Sequence, residues 1–473
     1  MSLVLACDLG GSSFRAALLD ANGGVHGIVS ERYTRVSDDP AVWWAMLCRA
    51  VEQLNADAAL AQVEAVAISA FTRTQVVLDG AHRVLGRATL WDDSAAEPLL
   101  PRLRALLAGH AELPATNAFH PAARLFRLAQ QQPDVARAAA AVLEPKDYLN
   151  LRLTGVCAID RVASARLIAT GTAALQSFGY ADIIPTTVEP TAIVGRVQPG
   201  SPGALAQLEG RPVVAMAHDT WASVIGLGAL REGYAYNLSG TTEVLGVMAR
   251  QAVPAEGLLT VDWGGLHQIG GPSQVGGDTL VWLAALLGKG SVADLTQLLE
   301  APRDRPPLLF LPYLLGERTP YWDPSLRGAF IGLHRSHGPA DCMQAVLEGV
   351  AFLNRLVLER AEAACGAPVS EIRLGGGGAA NAAWCQIKAD ICERPIAVVD
   401  SAEVGLSGAA IVAYLALGRF GDLAAGQSLV RVRETYRPRS ERAPGYRWLF
   451  QLFREAEAAV APVSRQLATI GAA

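Results

Sequence analysis

The segment Asp8-Leu9-Gly10-Gly11-Ser12-Ser13-Phe14-Arg15 joins an acid at the end of an apolar run to glycines, hydroxyls and a guanidinium. Small residues in a tight turn leave backbone N–H groups open to anionic oxygens, so Gly11, Ser12 and Ser13 can grip phosphate. Asp8 is placed to hold a hydrated magnesium ion, and Arg15 can neutralise phosphate charge. An ordinary glycine-rich hairpin would read the same way. The stretch Leu238-Ser239-Gly240-Thr241-Thr242 repeats this chemistry. In Leu374-Gly375-Gly376-Gly377-Gly378-Ala379-Ala380-Asn381, four consecutive glycines let a flat base or a phosphate come close to the backbone. There Asn381 can also cap the helix that follows. Asp219 ends an apolar run and precedes a small-residue helix. A carboxylate so placed can take a proton from a hydroxyl or cap the helix, and His218 beside it reads as a structural neighbour. Phosphate-gripping turns together with a candidate base are the parts that phosphoryl transfer to a hydroxyl requires.

These groups need strand ends and helix starts to carry them. Apolar runs predict strands at Leu3–Cys7, Phe14–Leu19, Val25–Val29 and Val63–Ile68, with a helix at Ala41–Gln53. Further on, the pattern predicts a strand at Val213–Ala217, a helix at Thr220–Leu230, and strands at Tyr234–Leu238 and Val244–Val247. The strand–turn–strand units near Asp8 and near Gly240 echo each other, which points to an internal duplication. We therefore expect two domains, 1–229 and 230–473. The loop Pro312–Pro324, with Glu317-Arg318 at its centre, is rigid and aperiodic, and bracing its domain is the expected role. The tail Tyr446–Ile470 reads as an amphipathic helix packed on the surface.

The chain's 473 residues suit two domains of ordinary size. A net charge of −5 without a basic run argues against nucleic acid or an anionic membrane as partner. The seven scattered cysteines contain no CxxC pair, which speaks against structural zinc and for a reducing, cytoplasmic setting. The opening residues lack a basic segment followed by a long apolar one, so no signal peptide is expected. The apolar stretch at Gly405–Leu417 is too short to span a bilayer and reads as a buried helix.

Taken in order and spacing, these motifs resemble the FGGY carbohydrate kinases, and within them the xylulokinase branch. The likeness runs over nearly the whole chain. Its anchors are Asp8–Arg15, Trp91-Asp92-Asp93, Pro145-Lys146-Asp147-Tyr148, Asp219, Gly240-Thr241, Gly316-Glu317-Arg318-Thr319-Pro320 and Gly375–Asn381. The resemblance implies an α/β fold of two actin-like ATPase (ribonuclease H-like) domains flanking a deep cleft, with sugar on the first domain and ATP mainly on the second. It implies Asp219 as general base, magnesium held through water by Asp8, and the phosphoryl group surrounded by Gly11 to Ser13, Gly240 and Thr241. Gly377, Gly378 and Asn381 would border the adenosine and its α-phosphate. Thr72, Arg73 and Trp91 would lie on the sugar side.

At that end the chain departs from its resemblance. Ser69-Ala70-Phe71-Thr72-Arg73-Thr74 stands where xylulokinases carry a Gly-Gln-Met-His-Gly-like stretch, and Arg124 stands where lysine is usual. Arg73 could meet a carboxylate or a hydroxyl-rich sugar, or lie on the surface. D-xylulose, phosphorylated with ATP and Mg2+, is the leading expectation; ribulose, gluconate or a polyol stay open, as does the choice between monomer and homodimer. A nucleotide-switched sugar sensor is the alternative from another class.

Overall fold

The computed structural model describes residues 2–55, 59–110, 116–251, 253–292 and 306–470. Contacts divide the chain into two compact units, Met1–Gly226 with Val404–Leu429, and Leu227–Glu403 with Val430–Ala473.

In the first unit the buried apolar run β1 (Leu3–Leu9) pairs antiparallel with β2 (Ser13–Asp20), and β2 pairs with β3 (Val25–Arg32). On its other side β1 pairs parallel with β4 (Val63–Ala70). Beyond β4 come β5 (Ile193–Arg196) and β6 (Pro212–Val214), giving the order β3-β2-β1-β4-β6-β5. The register sets Asp8 opposite Arg15 and beside Ser69. Strand β1 is covered by core residues on both sides, as expected for a central, partly parallel strand. The helix Pro40–Leu54 starts where the Asp39 side chain accepts the Ala41 N–H, with proline in the first turn. It lays Trp43, Leu47 and Val51 into the core.

The second unit repeats the arrangement. Strands β7 (Tyr234–Ser239) and β8 (Glu243–Ala249) form an antiparallel hairpin, extended by β9 (Leu259–Asp262) and β10 (His267–Pro272). Strand β7 pairs parallel with β11 (Glu371–Gly375), which pairs parallel with β12 (Ile396–Val399); β13 (Val432–Tyr436) closes the edge antiparallel. The order is β9-β10-β8-β7-β11-β12-β13. Each sheet thus carries antiparallel hairpins on one flank, two parallel pairings in the middle and an antiparallel edge strand, the twofold pattern anticipated from the two turn motifs. The long helix Pro339–Cys365 fills the core, and Phe450 and Phe453 of the tail helix Ala443–Ile470 pack on its Phe352, with ring centroids 5.9 and 5.3 Å apart.

The contact-based division differs from the sequence-based one, 1–229 and 230–473, because the segment 404–429 belongs to the first unit. The reason is close helix packing. The helix Val404–Ala416 meets the helix Asp219–Gly226 so tightly that a Cβ on Gly408 would lie 1.7 Å from the Ala222 carbonyl oxygen, and one on Gly226 would lie 1.9 Å from that of Val404. The helix expected over Thr220–Leu230 ends at Gly226, and the strand expected over Val213–Ala217 is the shorter β6. All seven cysteines are free. Among the described residues no helix is long and apolar enough to cross a membrane.

Candidate active site

In the first unit, the turn between β1 and β2 closes with the Gly10 N–H donating to the Ser13 carbonyl at 2.9 Å. Tyr33 braces it twice: its N–H donates to Ser12 O and its hydroxyl to Gly10 O. Gly11 and Ser12 are exposed at the tip, and the space a Cβ would take on Gly11 is open. Asp8, at the end of β1, accepts the hydroxyl of the fully buried Ser69 at 2.9 Å. Gly405, in the first turn of the helix Val404–Ala416, faces this carboxylate; a Cβ there would stand 3.3 Å from Asp8 Oδ2 and 3.4 Å from Ser223 Oγ.

Asp219 opens its helix just past β6, in the same neighbourhood. His218 takes the capping role, its Nδ1 accepting the Trp221 N–H at 3.1 Å, and Asp219 Oδ1 accepts the Thr220 N–H at 2.6 Å and hydroxyl at 3.1 Å. Desolvation, and then the charge of Asp8, push the Asp219 carboxyl up to about 7, although a third of its side-chain surface (33%) remains open to solvent. Burial lowers the His218 imidazole to about 4, so at neutral pH it is uncharged beside Asp219. The structure thus brings Asp8, Asp219 and the first hairpin together. Arg15 sits opposite Asp8 on β2.

The predicted sugar-side residues lie on two irregular segments. Thr72 and Arg73 follow β4, and Arg73 has a left-handed backbone (φ 60). Glu144 accepts the Arg73 N–H at 3.1 Å, the Thr74 N–H at 3.2 Å and, at 3.4 Å, the Thr72 hydroxyl. Trp91, exposed on the second segment, has its carbonyl held by Arg124 at 2.8 Å. The charge of Arg73 reaches His218, which it helps to keep neutral. Sequence reasoning missed Glu144 as a site residue and saw Arg124 only as a departure; a carboxylate just before Pro145-Lys146-Asp147 was the available signal.

The second unit has its own small-residue surface. The turn at Gly240 and Thr241 closes through Gly240 N–H to Thr242 O at 3.0 Å, and the start of the helix Gly277–Leu286 ties to it through Gly277 N–H to Gly240 O at 2.8 Å. Gly376 and Gly378 are packing glycines: a Cβ would lie 2.6 Å from Ser239 O on the first, and 2.0 Å from Ser239 Oγ on the second. Gly377 instead faces open space. Asn381 caps the helix Ala382–Cys392, its side chain accepting the Trp384 N–H at 3.0 Å. Beneath these turns lies a buried network that no sequence motif announced. Lys388 Nζ reaches Glu243 Oε1 at 2.7 Å and Asn237 Oδ1 at 2.7 Å, while Asn354 donates to Glu243 at 2.9 Å. Burial alone would raise the Glu243 carboxyl; Lys388 and the surrounding hydrogen bonds outweigh it and hold the group below its usual range. The loop motif at 312–324 braces as expected, since Glu317 accepts from the Ser273 hydroxyl at 3.0 Å and the Gln274 N–H at 2.7 Å.

Comparison with known proteins places the chain in a class. The sequence models of the FGGY family of carbohydrate kinases match residues 3–226 (N-terminal domain) and 235–417 (C-terminal domain), so the chain belongs to that family of sugar kinases. It is 29% identical to a xylulose kinase of Escherichia coli over 96% of this chain and 98% of the relative. It is 26% identical to a gluconokinase of Bacillus subtilis over 96% of this chain and 95% of that relative. The crystal structure of a xylulose kinase from Rhodospirillum rubrum superposes with a TM-score of 0.85 at 26% identity, covering 98% of this chain and 99% of that one. The fold is that of two actin-like, ribonuclease H-like domains.

Proposed function

We propose that the protein transfers the γ-phosphoryl group of ATP to a hydroxyl of a small sugar, with D-xylulose at its terminal hydroxyl, giving D-xylulose 5-phosphate, as the leading acceptor. The observation that carries this reading is Asp219. It is a solvent-accessible carboxylate with a carboxyl raised to about 7, near Asp8 and without a cationic partner to quench it among the described residues. A base tuned near the working pH is suited to taking a proton from an alcohol.

In this reading Asp219 takes the acceptor proton as the oxygen attacks the γ-phosphorus, the bond from that phosphorus to the β,γ-bridging oxygen breaks, and ADP leaves. Gly11, Ser12, Ser13 and Arg15 receive the transferred phosphoryl oxygens; Gly240, Thr241, Gly377, Gly378 and Asn381 receive the nucleotide. Gly378 contributes through its backbone, since its Cβ direction is filled by Ser239. Asp8 is the residue that would hold magnesium. The Asp219 carboxyl lies close enough to feel the charge of Asp8, and a pair of carboxylates suits an ion that keeps most of its waters. Such an ion would supply charge neutralisation to the phosphates.

Thr72, Arg73 and Trp91 would orient the acceptor. The charge of Arg73 near His218 favours, as a second reading, a sugar acid such as gluconate, in keeping with the gluconokinase likeness. Coupled ADP release with ATP and magnesium, measured across ketoses, polyols and sugar acids, separates the two. A large rate with xylulose supports the first reading, and one with gluconate the second. A flat panel with ATP still bound would favour a sensor.

A further inference from the structure

The segments that carry Arg73 and Trp91 have no regular secondary structure of their own, yet both are held by side chains from elsewhere in the first unit. Arg73 adopts a left-handed backbone, which costs a non-glycine residue about 1 kcal/mol and so needs fixing by its surroundings. Glu144 grips the turn from one side through the Arg73 and Thr74 amides and the Thr72 hydroxyl. Arg124, only 1% exposed, grips it from the other. Its Nη1 donates to the Arg73 carbonyl, while Nη2 donates to Trp91 O at 2.8 Å and Asp93 O at 3.0 Å, and Nε to Asp93 O at 3.2 Å. One guanidinium therefore spans both segments, making with its planar fork of five donors more contacts than the three donors of an ammonium allow.

The clamp is also linked to the segment that carries the base. Glu144 stands two residues before Lys146 of the buried Lys146-Asp147 pair, and Lys146 reaches Asp160 at 2.7 Å. The charges of Asp160 and Lys146 are both felt at His218, the neighbour of Asp219.

We infer that Glu144 and Arg124 are positioning residues of the acceptor site, fixing the Thr72–Thr74 turn and the Trp91 segment relative to each other and so setting acceptor affinity. This rests on the acceptor-site reading of Arg73 given above. Neither residue touches the reacting atoms in this account; both act through the backbone they hold.

The test is steady-state kinetics with the acceptor found in the panel assay, on Glu144→Gln, Arg124→Lys, Arg73→Ala and the Glu144→Gln/Arg73→Ala pair. Glu144→Gln turns one of the two oxygens that receive the Arg73 and Thr74 amides into a donor and should raise the acceptor KM about tenfold, with the ATP KM within about twofold of the parent. Arg124→Lys should act in the same direction. In the Arg73→Ala background, Glu144→Gln should add less than about threefold, because the group it positions is gone. An unchanged acceptor KM in Glu144→Gln, or equal rises for ATP and acceptor, overturns the inference while Arg73→Ala still reports on the site. If Arg73→Ala also leaves the acceptor KM unchanged, the acceptor-site reading falls with it. Should Glu144→Gln not accumulate as folded protein, Arg124→Lys carries the test: a rise in acceptor KM with the ATP KM unchanged supports the clamp, and no rise overturns it.

Discussion

The two glycine-and-hydroxyl hairpins share a strand pattern and treat charge in opposite ways. Beside the first, Asp219 keeps company with a second carboxylate, Asp8, and a neutral imidazole at 4.0 Å, and its carboxyl rises to about 7. Beneath the second, Glu243 is closed off by Lys388, Asn237, Asn354 and Ser239, and its carboxyl stays below the usual range. The same backbone device therefore serves two ends. An acid without a cationic partner stores the capacity to move a proton, whereas a neutralised acid fixes the ends of two strands, so that Gly240 and Gly376–Gly378 are presented on a rigid base.

The largest effect that would sharpen this contrast is at Asp219. Asp219→Asn should lower kcat by about a thousandfold or more while ATP binding, followed by calorimetry, stays near the parent value. The parent rate should rise with pH through about 7, as the base ionises, and the variant should lack that limb. Stability should move the other way. Between the ordinary aspartate value of 3.8 and about 7, the folded protein holds a proton that the unfolded chain has lost, so rising pH drains stability there. The asparagine variant should therefore melt with less pH dependence across that window. Near-parental turnover by the variant would remove Asp219 from the role of base and erase the contrast.

The next effect belongs to the second hairpin. Lys388→Met leaves Glu243 buried without its cation and should cost about 3–5 kcal/mol in chemical unfolding, and adding Glu243→Gln should recover part of the loss. Here the pH dependence has the reverse sign. The folded-state carboxyl lies below the ordinary glutamate value of 4.5, so the stabilisation is fully present above that value and fades as the pH falls beneath it. A Lys388→Met protein as stable as the parent would mean the network does not hold the loop.

How much of this was legible in the sequence follows from the range of the interactions. The hairpin at Asp8, the acid at Asp219 and the glycine run before Asn381 are local: strand, turn and cap are written within a dozen residues, and the structure places each on the strand end or helix start expected of it. The Glu243–Lys388 pair joins residues 145 apart, and its members look like ordinary polar positions in a strand and a helix. The clamp on the Arg73 turn is the same case, with Glu144 distant by 71 and Arg124 by 51 positions. The return of the helix Val404–Ala416 to the first unit was hidden for a related reason. Its signal is two small residues, Gly226 and Gly408, that matter only where two helix backbones nearly touch.

The smallest effects test the turns themselves. In Gly378→Ala the new methyl would stand 2.0 Å from Ser239 Oγ, displacing the hydroxyl that bonds Glu243. A loss of about 1–3 kcal/mol in unfolding should follow, with the ATP KM raised. Gly11→Ala is the counterpart in the first hairpin. Nothing lies within 4 Å of its Cβ, so thermal stability should stay within about 0.5 kcal/mol of the parent. What the methyl does change is how closely a phosphate can approach the backbone at the tip. A several-fold fall in kcat/KM for ATP at unchanged melting temperature would therefore identify the open face of Gly11 as ligand space. Unchanged kinetics would return the turn to an ordinary hairpin and leave Asp219 as the feature that sets the first unit apart from the second.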